Sequence, residues 1–209
     1  MNRVLLAFTG NLETLLAIRL LKERYGMKVI AFCADLGQGE ELEPRGEAAI
    51  DAGAIATYVK DLKESFVKGF ITPAFRASAR YESGYLLSSA LARPLLAKEL
   101  VNFAREEGCK YIATGSGGAG SERIRFSNCL KALAPDIELI APLEDYHITE
   151  REALKGWSER YGLEWEEKHD TDRNLWGVAV SFGRCENTWS QLPEDTYVIT
   201  MDPRHAPDV

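Results

Sequence analysis

The feature that most constrains this chain is a repeated pattern: a short apolar run of strand length, a glycine-bearing turn, then a segment with helical spacing. Arg3-Val4-Leu5-Leu6-Ala7-Phe8 is the first such run and Thr9-Gly10-Asn11 closes it. Glu13 to Tyr25 then carries Leu15, Leu16, Ile18, Leu20 and Leu21 at helical spacing. Gly26 stops that helix, and Lys28 to Cys33 reads as a second strand followed by the loop Ala34-Asp35-Leu36-Gly37-Gln38-Gly39. Strands that are apolar throughout, without alternation, are the kind buried on both faces, so the pattern predicts a parallel sheet covered by helices.

The same rhythm continues. A polar helix around Pro44 to Ala52 leads through Gly53 to a third strand, Ala54 to Val59. Leu62 to Tyr81 is a mixed amphipathic stretch interrupted by Pro73, and Tyr85 to Glu107 is helical in pattern. Pro94 inside that segment predicts either a kink or two helices meeting near Arg93. Lys110 to Ala113 is a fourth strand, Thr114 to Gly120 a glycine-rich turn before a helix beginning near Ser121, Ile137 to Ala141 a fifth strand, and Thr149 to about Tyr161 a last helix. The expected fold is α/β, a doubly wound parallel five-stranded sheet with helices on both faces, occupying residues 1–162. Beyond Leu163 only Tyr197 to Thr200 looks strand-like, so 163–209 is expected to be an irregular extension.

Composition narrows the function classes. With 209 residues, 45% hydrophobic and 27% charged, the chain buries roughly 70% of its unfolded surface. A formal net charge of -7 with no dense Lys/Arg run argues against a nucleic-acid partner. No apolar run approaches the roughly 20 residues of a membrane span, and Met1-Asn2-Arg3 leads straight into a strand, so the expectation is a cytoplasmic protein with no membrane partner. Cys33, Cys109, Cys129 and Cys185 are far apart, and His147, His169 and His205 form no helix-spaced pair, so no metal site is expected.

In an open parallel sheet, ligands bind beyond the carboxyl ends of the strands. Thr9 to Thr14, Ala34 to Glu41 and Thr114 to Glu122 leave strand ends there with glycines that admit an anion to the backbone and a helix amino terminus. A phosphate-bearing ligand is one reading; glycines that merely make tight turns are the other. No Gly-x-Gly-x-x-Gly follows the first strand and no Gly-Lys-Ser/Thr occurs, although Gly115 to Gly120 contains the former spacing late in the fold.

Several ordered segments carry a resemblance: Val4 to Thr14, Val29 to Glu41, Ser89 to Pro94, Lys131 to Asp136, Glu138 to Pro142, Asn174 to Gly177, and the closing Asp202-Pro203 with Ala206 to Asp208. Together they resemble the argininosuccinate synthase family over nearly the entire chain. The resemblance implies a nucleotide-binding domain of the N-type ATP pyrophosphatase kind, adenine nucleotide alpha hydrolase-like in fold. It implies ATP or AMP as ligand, with Mg2+, and a reaction in which the citrulline ureido oxygen attacks the α-phosphate and aspartate then displaces AMP. Residues 163–209 become the remnant of the family's second domain, whose further citrulline contacts another chain would supply, and the partners implied are a homo-oligomer or a companion chain.

Mapped onto this sequence, the resemblance implies nucleotide contacts at Ala7, Phe8, Thr9, Gly10, Asn11, Glu13, Thr14, Ala34, Gly115 and Ser116, and substrate contacts at Tyr85, Arg93, Ser121, Glu122 and Arg125. It assigns no catalytic side chain. The family's pyrophosphate loop, Ser-Gly-Gly-Leu-Asp-Thr-Ser, is here Thr9-Gly10-Asn11-Leu12-Glu13-Thr14-Leu15. Asn11 is a residue type able to take a positive φ, but its side chain enters the space a phosphate would approach; Glu13 is longer than the family's Asp, and Leu15 lacks a hydroxyl. In the second signature the aspartate contacts fall on Gly117, Ser121 and Glu122 and the lysine on Ala119, while Arg125 keeps its arginine. Arg93 is either a near-site residue or a tie between helix and loop through carboxylate or carbonyl bonds.

Three functions fit these residues: an adenine-nucleotide-binding relative without complete citrulline–aspartate ligation, an active ATP-dependent carbon–nitrogen ligase completed by another chain, or a non-catalytic interaction domain anchored by Trp165, Trp176 and Trp189.

Overall fold

The computed structural model describes residues 2–39, 42–82, 84, 86–116, 122–164, 170–181, 189, 191, 199–201 and 203–207. Strands β1 (Arg3–Ala7), β2 (Lys28–Asp35), β3 (Ala56–Asp61), β4 (Tyr111–Thr114) and β5 (Glu138–Ile140) form one sheet in the order β3-β2-β1-β4-β5. Every neighbouring pair in it is parallel. The helices are α1 (Leu12–Glu23), α2 (Glu43–Ala52), α3 (Lys63–Phe66), α4 (Thr72–Arg76), α5 (Ser88–Glu106), α6 (Glu122–Leu133), α7 (Pro142–Asp145) and α8 (Arg151–Arg160).

Alternation along β1 divides the core into two layers. Val4 and Leu6, with Phe8 just beyond the strand, pack with Leu16, Leu20, Ala49, Leu143 and Leu154 from α1, α2, α7 and α8. Leu5 and Ala7 face the other layer, where Phe66, Leu100 and Phe126 bring in α3, α5 and α6. The doubly wound five-stranded sheet inferred from sequence is thus the observed one. From β1 the chain moves to β2 and β3 and then crosses to β4 on the far side. Strand order reverses between β1 and β4, the point beyond whose carboxyl ends sheets of this kind form a ligand crevice.

Two proline sites resolve differently from the simplest expectation. Pro94 lies inside one continuous α5 from Ser88 to Glu106, not between two helices. Its buried face, Ala92, Leu95, Ala97, Leu100, Val101 and Ala104, packs into the core and outweighs the roughly 3 kcal/mol that an interior proline costs. Between α3 and α4, Val67–Ile71 widens to a π turn in which the Thr72 N–H bonds the Val67 carbonyl, immediately before the donor-less nitrogen of Pro73. Ala74 packs inward from α4 while Phe75 is exposed.

The stretch after 163 is less irregular than its sequence suggests. β6 (Asp170–Asn174) and β7 (Gly177–Ser181) form an antiparallel hairpin turning at Leu175-Trp176. It is anchored by polar bonds: the Leu175 N–H to the Leu36 carbonyl at 2.9 Å, Asn174 Nδ2 to the Ser88 carbonyl at 3.3 Å, and Trp176 Nε1 to the Leu86 carbonyl at 2.6 Å. A Cβ on Gly37 would lie 2.5 Å from the Leu175 side chain, so the hairpin tip rests directly on the loop after β2. Of the strand-like Tyr197 to Thr200, residues 197–198 lie outside the described residues, and Ile199-Thr200 is a bend. Trp165 and Cys185 also lie outside them; Cys33 and Cys109 are buried and Cys129 is half-buried. Among the described residues, no helix is long and apolar enough to cross a membrane.

Behind β5, the Glu144 side chain of α7 is only 11% exposed and forms an ion pair with Arg123 of α6. Burial pushes its carboxyl above the usual glutamate range, against the opposing pull of Arg123. A raised carboxyl pKa means that the folded state holds the proton more tightly than the unfolded state. Its contribution is therefore full below the ordinary value of 4.5 and is lost as pH rises through the elevated one. Replacing Glu144→Gln should flatten this part of the pH–stability profile, read by urea melts from pH 4 upward; an unchanged slope would refute the assignment. Phe66→Ala, emptying a fully buried site, should lower stability by about 3–5 kcal/mol in the same melts.

Candidate functional site

At the end of β1 the chain makes a turn that only glycine accommodates comfortably. Gly10 has φ +81, and a Cβ there would meet Arg45 Cγ and Cδ at 2.8 Å. Arg45, in the first turn of α2, passes over Gly10 and donates from Nη1 to the Thr9 carbonyl at 2.6 Å. The positive φ open to Asn11 is not used: with φ -78 and ψ 168 it is the extended N-cap of α1. Asn11 Oδ1 accepts the Thr14 N–H at 3.1 Å and the Thr14 hydroxyl at 2.8 Å. The Thr14 hydroxyl also lies 3.0 Å from the Asn11 carbonyl and 3.4 Å from the Thr9 hydroxyl. The Thr14 N–H in the first turn of α1 is therefore satisfied from within the chain.

β4 reaches the same spot from the other side of the crevice. A Cβ on Gly115 would lie 2.6 Å from Thr14 Cγ2 and 3.2 Å from Thr14 Cα and N. Ser116 follows, half-buried. Thr9, Gly10, Asn11, Thr14 and Gly115 are accordingly brought together as one patch at the point of strand reversal, with half-buried Glu13 in the first turn of α1. Ala7 and Phe8 stand at the strand end; Phe8 is 4% exposed, its N–H bonded to the Phe32 carbonyl at 2.9 Å, so its ring belongs to the core.

Ala34 is buried at the end of β2, and its carbonyl accepts from Gln38 Nε2 at 2.7 Å. Asp35 serves this turn: Oδ1 accepts the Gly37 N–H at 2.9 Å, and Oδ2 pairs with Lys63. Lys63 also bonds Asp61 at 3.1 Å; the two carboxylates raise the ammonium above its ordinary pKa, and Lys63 in turn lowers that of Asp61.

The substrate residues implied by the resemblance do not all join this patch. Arg93 Nη2 lies 3.2 Å from Asp172 Oδ2, and the Ser89 hydroxyl bonds the same oxygen. Arg93 thus ties α5 to the hairpin through a carboxylate, as one of its two sequence readings had it. Arg125 is half-buried on α6. Tyr85 and Ser121 lie outside the described residues, as does the side chain of Glu122. Sequence reasoning missed Arg45 and Asp172. Arg45 carries no motif, and its contact with Thr9 spans a separation that no spacing rule covers; Asp172 sits in a polar stretch without periodicity.

Because Gly115 needs no positive φ, the tightness of the crevice can be tested there directly. Gly115→Ala should cost about 1–3 kcal/mol through overpacking against Thr14, and adding Thr14→Ser, which deletes Cγ2, should return part of it. Equal denaturant midpoints for the single and double variants would show that the two loops are not in this contact.

Comparison with known proteins fits this architecture. The model of the arginosuccinate synthase N-terminal HUP domain matches residues 3–164. Argininosuccinate synthase of Carboxydothermus hydrogenoformans is 43% identical over 99% of this chain and 53% of its own length. That of Desulfitobacterium hafniense strain DCB-2 is 43% identical over 100% and 53%, and that of Aquifex aeolicus 42% identical over 99% and 52%. The chain spans about half the length of the curated relatives it matches. A solved structure described as a predicted subunit of tRNA methyltransferase from Methanocaldococcus jannaschii superposes with a TM-score of 0.52 at 15% identity, covering 77% of this chain and 76% of that one. That likeness is one of fold alone. The family match runs from β1 through α8 and takes in the loops after β1 and β4: this chain belongs to the argininosuccinate synthase family, its residues 3–164 matching the family's N-terminal HUP domain.

Proposed function

We propose that this chain is an argininosuccinate-synthase-like adenine-nucleotide-binding protein, taking ATP or AMP in the crevice between β1 and β4, and that it does not by itself complete citrulline–aspartate ligation. On this reading Ala7, Phe8 and Ala34 bound the adenosine end. Thr9, Gly10, Asn11, Glu13, Thr14, Gly115 and Ser116 surround the phosphates. Residues 1–162 are the nucleotide-binding unit, and 163–209 derive from the family's second domain, its hairpin resting on the loop after β2.

The observation that carries the second half of the proposal is the bonding of Asn11. Expelling pyrophosphate requires preorganised donors aimed at the charge that develops on the departing group. A helix amino terminus supplies them through its unpaired N–H groups. Here the Thr14 N–H already bonds Asn11 Oδ1 at 3.1 Å. On this reading a β,γ-diphosphate competes with that side chain for the Thr14 N–H, whereas a ligand with a single phosphate does not.

Among the described residues no three His, Cys, Asp or Glu side chains gather into a metal site. On this reading a Mg2+ ion arrives on the nucleotide, because Mg2+ is held by one or two carboxylates together with substrate phosphates and keeps several waters. On the same reading Glu13, in the first turn of α1, would share it with the nucleotide phosphates. When bound, the ion would neutralise phosphate charge.

Calorimetric titration tests the proposal. ATP and AMP should bind with affinities within about threefold of each other, and pyrophosphate should not bind. Asn11→Gly, which costs the cap only a few tenths of a kcal/mol, should gain at least about tenfold in pyrophosphate affinity. Absence of binding by either nucleotide would overturn the nucleotide reading. Release of pyrophosphate from ATP, citrulline and aspartate by the chain alone would instead establish the ligase.

A further inference from the structure

We infer that the Thr114 hydroxyl is a ligand contact of this crevice, one that pairs with a sugar hydroxyl of the bound nucleoside. The inference rests on the nucleotide reading and adds to it the contact that would hold the ribose. Thr114 is the last residue of β4 and 2% exposed, and its Oγ1 has no hydrogen-bond partner among the described residues. Three other buried polar side chains are all served: Thr14 bonds Asn11, Ser158 bonds the Leu154 carbonyl, and Asn174 bonds both the Ser88 carbonyl and the Trp176 N–H. Single unpaired atoms also occur on Arg19, Arg93 and Glu144, but each of those groups has a second atom that is bonded. Thr114 has one polar side-chain atom, and that atom is the unpaired one.

A buried hydroxyl left unpaired costs the fold its desolvation, so such a group in a folded protein calls for a physical reason. Its placement supplies one. Thr114 lies beside Ala7 in the parallel register, at the point where strand order reverses. Ile112, two residues earlier, packs in the layer that also receives Ala7, so the Thr114 side chain shares that face of the sheet. α1 packs on the opposite face. On the nucleotide reading Ala7 bounds the adenosine end and the first turn of α1 the phosphates, so Thr114 falls with the nucleoside. A hydroxyl both donates and accepts, as a sugar hydroxyl does, whereas an ionised phosphate oxygen only accepts. An ordered water is the competing partner, and it would satisfy the group in the free protein as well.

Two measurements on the full chain test this. In urea melts without ligand, Thr114→Val removes the unpaired group and nearly keeps the shape, so its midpoint should equal or exceed that of wild type. By calorimetry the same variant should bind AMP about fivefold or more weakly than wild type. Thr114→Ser, which keeps the hydroxyl, should stay within about threefold of wild type. Wild type should also bind one of 2′-deoxy-AMP and 3′-deoxy-AMP about fivefold or more weakly than AMP, and the valine variant should bind that analogue and AMP equally. A lower midpoint for Thr114→Val would show that the hydroxyl already has a partner in the free protein. Unchanged AMP affinity in that variant, or equal binding of all three nucleotides by wild type, would show that no sugar hydroxyl is its partner. Either result overturns the inference. Failure of wild type to bind AMP would overturn the nucleotide reading and this inference with it, a result distinct from the others because the melts report on the unpaired hydroxyl without any ligand.

Discussion

The burial of β1 on both faces and both edges is the constraint on which the rest of the structure depends. A strand so placed has no solvent side, so every residue from Val4 to Leu6 is apolar and fully buried. Its parallel partners on either side oblige the chain to travel over the sheet between strands, and that travel supplies the two helical layers. Because β1 is also where strand order reverses, the loops that follow β1 and β4 meet beyond its carboxyl end, where Gly115 lies against Thr14 and where sheets of this kind bind ligands. Core and candidate site are thus consequences of the same strand.

What was legible in the sequence follows from how each element is held. β1, β2 and α1 are held by apolar burial, and their hydrophobic spacing announces them. The β6–β7 hairpin is anchored instead by hydrogen bonds to the carbonyls of Leu36, Ser88 and Leu86, and Asp170 to Asn174 carries no apolar residue at all. Periodicity could not reveal it. Pro94 was legible as a break, yet the packing of Leu95, Leu100 and Ala104 holds α5 in one piece. Tertiary contacts overrode the local rule there.

The candidate site shows the same division. Thr9 to Thr14 and Gly115 could be placed from the strand–turn–helix pattern and from resemblance, because strand ends and glycines mark them. The dihedral of Asn11 could not: asparagine is equally suited to a left-handed turn and to an N-cap, and the positive φ at Gly10 decides for the cap. Arg45 was invisible for a different reason. Its partner, the Thr9 carbonyl, is a backbone atom that any residue would present, so nothing at position 9 betrays the contact.

The pairing of β1 with β4 has a kinetic side as well. Val4 lies beside Tyr111, so during synthesis β1 waits for one of its neighbours until the chain has passed residue 114. During that interval β1 to β3 form an incomplete sheet with an open edge along Val4 to Ala7, a template that other chains can join. Long-range closure of this kind is also slow, because the entropy of the intervening loop is lost before the contact is made. The yield of folded protein should therefore depend more on conditions during synthesis than its final architecture suggests.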